Sequence, residues 1–176
     1  LLSNTLPRFG ITTTFVDPDD AENFANAIQP NTRLFFAESL GNPKLDVLDL
    51  KAISDQAKAA KVPFVVDNTV ASPALLNPIE YGANIVIHSL TKYLTGNGTS
   101  LGGVIIDAGT FDWGNGNFPE FTEPNPSYHG LNYHEALGAI AFIAKVRIEG
   151  LRDLGSAPSP FNSFQSIQGI ETLDIR

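Results

Sequence analysis

The hydrophobic and polar positions along the chain alternate between two periods. Ile11 to Val16 is rich in threonine and β-branched residues and reads as a strand. Asp17-Pro18-Asp19-Asp20 then offers a cap, an early proline and acidic residues suited to a helix start. Ala21, Phe24, Ala25 and Ile28 give that helix its apolar stripe. Arg33 to Ala37 is apolar after the arginine, which predicts a strand covered on both faces. A second helix is expected from Val47 to Ala60, with Leu50, Ile53, Ala57 and Ala60 on one side. Phe64 to Val66 predicts a third strand, Pro73 to Tyr81 a loop with a short helix, Asn84 to Ile87 a fourth strand and Val104 to Asp107 a fifth.

Strands separated by helical segments point to an α/β fold with a mostly parallel sheet and helices on both faces. In such a sheet the strand carboxyl ends share one edge, where ligands bind. Three loops should meet there: Ser39 to Pro43, Asp67 to Thr69, and Ser89 to Lys92. The rhythm breaks at Phe111 to Tyr133, which is rich in glycine, proline and aromatics; long irregular loops are often functional. It resumes with a helix expected from Glu135 to Leu151, and another from Ser163 to Ile175, capped by Ser159-Pro160-Phe161-Asn162 and interrupted by Gly169.

Composition narrows the function. The 176 residues suffice for a domain with a real core. No apolar run is long enough to span a bilayer. The net charge of −8 and the scattered basic residues argue against nucleic-acid binding. Cysteine is absent, which removes disulfides, thiolate zinc sites and a cysteine nucleophile, and fits a reducing compartment. The opening Leu-Leu-Ser-Asn-Thr-Leu has no obvious start, so the chain reads as a piece of a longer polypeptide.

The converging loops carry a lysine, a carboxylate and small hydroxyls. A lysine amine forms Schiff bases with aldehydes. A pyridine aldehyde cofactor needs an acid at its ring nitrogen to act as an electron sink, and hydroxyls with backbone N–H groups for its phosphate. Lys92, Asp67, and Ser89 with Thr91 suit these roles in that order. Each has a plainer reading. Lys92 could be a solvated charge, Asp67 could cap a turn through Asn68, and Ser89 and Thr91 could bond local backbone. Their order on adjacent strand ends favours the joint reading.

Val65-Val66-Asp67-Asn68-Thr69, followed by His88-Ser89-Leu90-Thr91-Lys92-Tyr93, resembles the signature of the pyridoxal-phosphate-dependent Cys/Met metabolism family. Glu38-Ser39-Leu40-Gly41-Asn42-Pro43 resembles its substrate-side loop. The resemblance implies an aspartate-aminotransferase-like large domain of fold type I, here incomplete. Residues 1–155 would belong to that domain and 156–176 would begin the small C-terminal one. It implies pyridoxal 5'-phosphate as cofactor and Lys92 as its Schiff-base lysine. Asp67 would sit at the pyridinium nitrogen, Ser89 and Thr91 on the phosphate, Asn42 near the phenolic oxygen and substrate carboxylate, and Thr69 beside the ring.

Leu6 to Ile11 and Phe111 to Leu131 resemble the family's O-acetylhomoserine (or O-acetylserine) sulfhydrylase branch. That branch implies replacement of acetate by sulfide on O-acetyl-L-homoserine, giving L-homocysteine, in a cytoplasmic homotetramer. Cystathionine γ-synthase or methionine γ-lyase activity, or a truncated non-catalytic domain, are the alternatives. Asn97 departs from the histidine expected at its position in many members.

Overall fold

A computed structural model describes residues 1–176. Four strands form one sheet in the order β1 (Phe35–Glu38), β2 (Phe64–Asp67), β3 (Ile85–Ser89), β4 (Gly103–Asp107). The first three are parallel, with Glu38 beside Asp67 and Asp67 beside Ile87. β4 runs antiparallel to β3, pairing Ser89 with Gly103. No helix crosses the sheet between β3 and β4; the chain turns over the sheet edge and returns, so the last strand is reversed.

α2 (Leu50–Ala59) forms because Asp49 caps it, accepting from the Ala52 N–H at 3.0 Å. Leu50, Ile53 and Ala57 then fall on one buried stripe. This places the helix start after the expected Val47, which stays exposed. α1 (Glu22–Asn26) packs beside α2, its Phe24 ring 5.3 Å from that of Phe35. Phe64, Val66 and Val86 complete this first core, and the short helix expected after β2 forms as α3 (Ser72–Leu75).

The opposite face, reached by Val65 and Ile85, is covered by Trp113, Phe118, Phe121, Tyr133 and Ala141. The region 111–133 is irregular, as expected, with only α4 (Pro119–Thr122) inside it. Its aromatic residues nevertheless pack as a core. The Trp113 ring stacks on Phe121 at 4.3 Å and on Phe142 at 5.1 Å, and meets Phe118 edge-on at 5.1 Å. Arg33 donates to the Asn117 carbonyl, pairs with Glu120 at 3.3 Å and lies over the Phe118 ring.

Three expected elements differ. Ile11 to Val16 forms no strand; it has no partner strand in this chain, and strand propensity without a ladder holds nothing. The helix expected over 135–151 is broken by a tight turn at Gly138–Ile140 into α5 (Tyr133–Leu137) and α6 (Ala141–Lys145), and α6 runs on without a break as a π-helix over Val146–Asp153. Gly138 breaks it, with φ of 53°. The last helix, α7 (Pro160–Ile170), starts on the Ser159 hydroxyl, which accepts from the Asn162 N–H, and ends one residue past Gly169, short of the expected Ile175; only a tight turn at Leu173–Ile175 follows. Gly169 serves close packing: a Cβ there would collide with the Thr95 backbone.

Candidate active site

The carboxyl ends of β1, β2 and β3 deliver the three expected loops to one edge. Buried polar groups tie them together. The Ser39 hydroxyl lies 2.7 Å from Asn68 Oδ1, and Asn68 Nδ2 donates to the Leu76 carbonyl at 2.8 Å. The Ser39 N–H donates to the Asp67 carbonyl at 2.9 Å. The Ser89 N–H donates to the Thr69 hydroxyl at 2.8 Å, joining the second loop to the third. Asn68 and Ser39 are fully buried, so this satisfied network fixes the loops more firmly than exposed contacts would.

Asp67 Oδ1 accepts from the Thr69 N–H at 2.9 Å, the turn that the plainer reading anticipates, while Oδ2 makes no hydrogen bond. Its half-buried carboxylate thus keeps one oxygen for a ligand. The Thr91 hydroxyl also meets the plainer reading, accepting from the Gly102 N–H at 3.2 Å. The Ser89 hydroxyl is without a partner. Lys92 is exposed and enters no ion pair. Its backbone, at φ −98° and ψ −121°, breaks the wide turn Leu90–Leu94 just after β3. A cavity of about 390 Å³ beside it is lined by Thr91, Lys92, Tyr93, Gly96, Gly98 and Arg176.

Asn42 lies on the first loop, exposed, its N–H donating to Glu38 Oε2 at 2.8 Å. It makes no hydrogen bond to the other two loops. Thr69 serves as the latch to Ser89.

Sequence reasoning left out Asn68 and His88. His88 is buried on β3 and its Nδ1 has no hydrogen-bond partner. Burial holds its imidazole below the ordinary value of 6.5, outweighing a hydrogen bond to the Asn68 backbone and the nearby Asp67 charge, so it is neutral at neutral pH. The signal for both was available: a polar residue at the end of an apolar strand is buried with the strand.

A free acid oxygen on Asp67, a free hydroxyl on Ser89 and an unpaired lysine on neighbouring loops form a donor set that fits pyridoxal phosphate: acid for the ring nitrogen, hydroxyl for phosphate, amine for the aldehyde. Comparison with known families identifies the family. The model of the Cys/Met metabolism PLP-dependent enzymes matches residues 1–176. The chain belongs to this family.

Among the family's curated members, the chain is 57% identical to the O-acetyl-L-homoserine sulfhydrylase of Leptospira meyeri, and 47% identical to the homocysteine synthase of Schizosaccharomyces pombe. It aligns over its whole length with both, and covers 42% of each. A solved family structure, the O-acetylhomoserine (thiol)-lyase of Campylobacter jejuni with a pyridoxyl-lysine phosphate, superposes with a TM-score of 0.93 at 41% identity. That match covers 99% of this chain and 43% of the other. The chain therefore spans about two fifths of the relatives' length. The family's cofactor is pyridoxal phosphate, and the α/β fold with its mostly parallel sheet is that of the solved neighbours. No helix is long and apolar enough to cross a membrane.

Proposed function

We propose that the protein carrying this chain replaces the acetate of O-acetyl-L-homoserine with sulfide, giving L-homocysteine. The observation that carries this reading is Lys92, unpaired beyond β3, while the neighbouring β2 presents an Asp67 oxygen free of other bonds. The names of the Leptospira and Schizosaccharomyces relatives support the choice of substrate.

Pyridoxal phosphate, when bound, supplies the electron sink for charge that develops at the substrate α-carbon. Lys92 would link to its aldehyde and, released by the substrate amine, move the α-proton. The free oxygen of Asp67 would hold the proton on the ring nitrogen, which keeps the sink strong. Ser89 and Thr91 would hold the phosphate, Thr91 also anchoring its own turn through Gly102. Asn42 would orient the substrate carboxylate at the mouth. Thr69 would pack beside the ring and hold the Ser89 backbone in place.

Residues 1–155 would form part of the large domain, with 156–176 opening the small one; the exposed, non-helical stretch 155–159 ahead of α7 supports that division. Exposed Phe9, Ile11 and Phe15 form apolar surface of the kind that subunits cover, which supports a homo-oligomer, a tetramer by family resemblance. The absence of cysteine supports a cytoplasmic setting.

The test is product analysis of the purified enzyme. Sulfide-dependent homocysteine formation supports the reading. Cystathionine from added cysteine would point to a cystathionine synthase, and α-keto acid release to a lyase. Lys92→Ala is expected to lower turnover by at least about 10³-fold. Asp67→Ala should retain cofactor poorly and turn over little, and normal turnover in that variant would refute the role given to Asp67.

A further inference from the structure

The backbone that follows Lys92 is not held by a regular helix. Lys92 itself lies outside the helical region, and only the Thr95 and Gly96 N–H groups reach back, to the Leu90 carbonyl at 3.1 Å and the Lys92 carbonyl at 2.7 Å. The remaining support comes from the far end of the chain. Arg176 donates to the Tyr93 carbonyl at 2.5 Å, to the Leu94 carbonyl at 3.4 Å and to the Gly169 carbonyl at 2.6 Å. One guanidinium thus bridges the two residues after Lys92 and the last turn of α7.

We propose that Arg176 is a positioning residue for Lys92, clamping the backbone just beyond the lysine against α7. The inference rests on the proposed role of Lys92. Gly96 leaves room for the clamp: it has φ of 78°, and a Cβ there would fall on the guanidinium. A planar fork with five N–H donors can span three carbonyls; a lysine ammonium cannot match that geometry. Arg176 also walls the cavity that Lys92 lines, so its loss would loosen the turn on the side where the amine stands.

α7 has other ties to the same loop. The buried Thr95 hydroxyl lies 3.0 Å from the Ser166 hydroxyl, and Asn162 donates to the Leu101 carbonyl at 3.0 Å. These separate docking of α7 from positioning of Lys92. Ser166→Ala weakens docking while leaving the three carbonyl contacts intact.

The experiment compares Arg176→Gln, Arg176→Lys and Ser166→Ala in the protein, with and without pyridoxal phosphate. In the cofactor-free protein, amide hydrogen exchange at Thr95 and Gly96 should accelerate about tenfold in Arg176→Gln and stay near wild type in Ser166→Ala. In the loaded protein, Arg176→Gln should lose much of the visible circular dichroism of the bound cofactor. Its kcat should fall by about 10²-fold with little change in KM. Arg176→Lys should not rescue these effects, and Ser166→Ala should lower Tm alone. Wild-type exchange and dichroism in Arg176→Gln would overturn the proposal, as would identical behaviour of Arg176→Gln and Ser166→Ala. A wild-type protein that never develops visible dichroism would sink the proposed function instead, and the exchange arm would still decide the clamp.

Discussion

The two faces of the sheet are built by different rules. On one, α1 and α2 lay regular apolar stripes against Phe64, Val66 and Val86. On the other, an irregular segment presses Trp113, Phe118 and Phe121 against Val65 and Ile85. The first face is held by repetition, with each turn of α2 adding one buried residue. The second is held by a few large rings and by polar ties that bridge loops. Asn115 donates to the Lys61 carbonyl at 3.1 Å, and Asn132 to the Thr122 carbonyl at 2.7 Å. Irregular backbone can therefore make a core as tight as helical backbone, provided its polar groups find partners.

The largest test of that equivalence removes one buried side chain from each face. Trp113→Ala should cost about 4 kcal/mol and Ile53→Ala about 3 kcal/mol, each measured by urea unfolding. Trp113 is 5% exposed and Ile53 fully buried, so both leave cavities. A cost below about 1 kcal/mol for Trp113→Ala would mean that 111–133 is merely docked on the sheet.

A smaller contrast lies in the caps. Asp49 on the first face bonds only the start of α2, through Ala52. Asn132 on the second caps α5 through the Glu135 N–H at 3.0 Å and also holds the Thr122 carbonyl. Asp49→Ala should therefore cost about 1 kcal/mol and Asn132→Ala about 2 kcal/mol. Equal costs would show that the tie across the loop adds nothing.

The same division governs what could be read in advance. The first face was legible because burial follows a period of 3.6 in α2, so Leu50, Ile53 and Ala57 announce themselves, and because the strands behind it read as continuous apolar runs. The second has no period, and its glycines and prolines point to loop; only the density of aromatics hinted that it was core. The site lies between these extremes. Asp67, Ser89, Thr91 and Lys92 stand at strand ends, and parallel order alone sends them to one edge. The burial of Asn68 and His88 was legible from their place at the ends of apolar strands, but the partners of Asn68 were not, since they depend on which loops cross that edge. Arg176 was further out of reach, because two of its partners are backbone carbonyls more than eighty residues away and carry no sequence signal.

The smallest contrast is between two ion pairs of the same i, i+4 spacing. Lys51 pairs with Asp55 on α2, with both side chains more than half exposed. Lys145 pairs with Glu149 at 2.5 Å, its side chain only 17% exposed. Its ammonium also lies 4.9 Å from the Tyr133 ring centre and 5.6 Å from that of Phe121, and Glu149 accepts from Asn125 at 2.9 Å. In water the first pair exchanges one solvated geometry for another and should show a coupling of about 0.3 kcal/mol in a double-mutant cycle. The second shares its charge with two aromatic faces and a neutral amide, and should couple by about 1 kcal/mol. Raising the salt to 1 M should erase most of the Lys51 coupling and leave most of the Lys145 coupling, since a half-buried pair is screened less. Equal couplings with equal salt dependence would mean that the aromatic face lends its charges no shelter, and the likeness between the two cores would then end at their apolar rings.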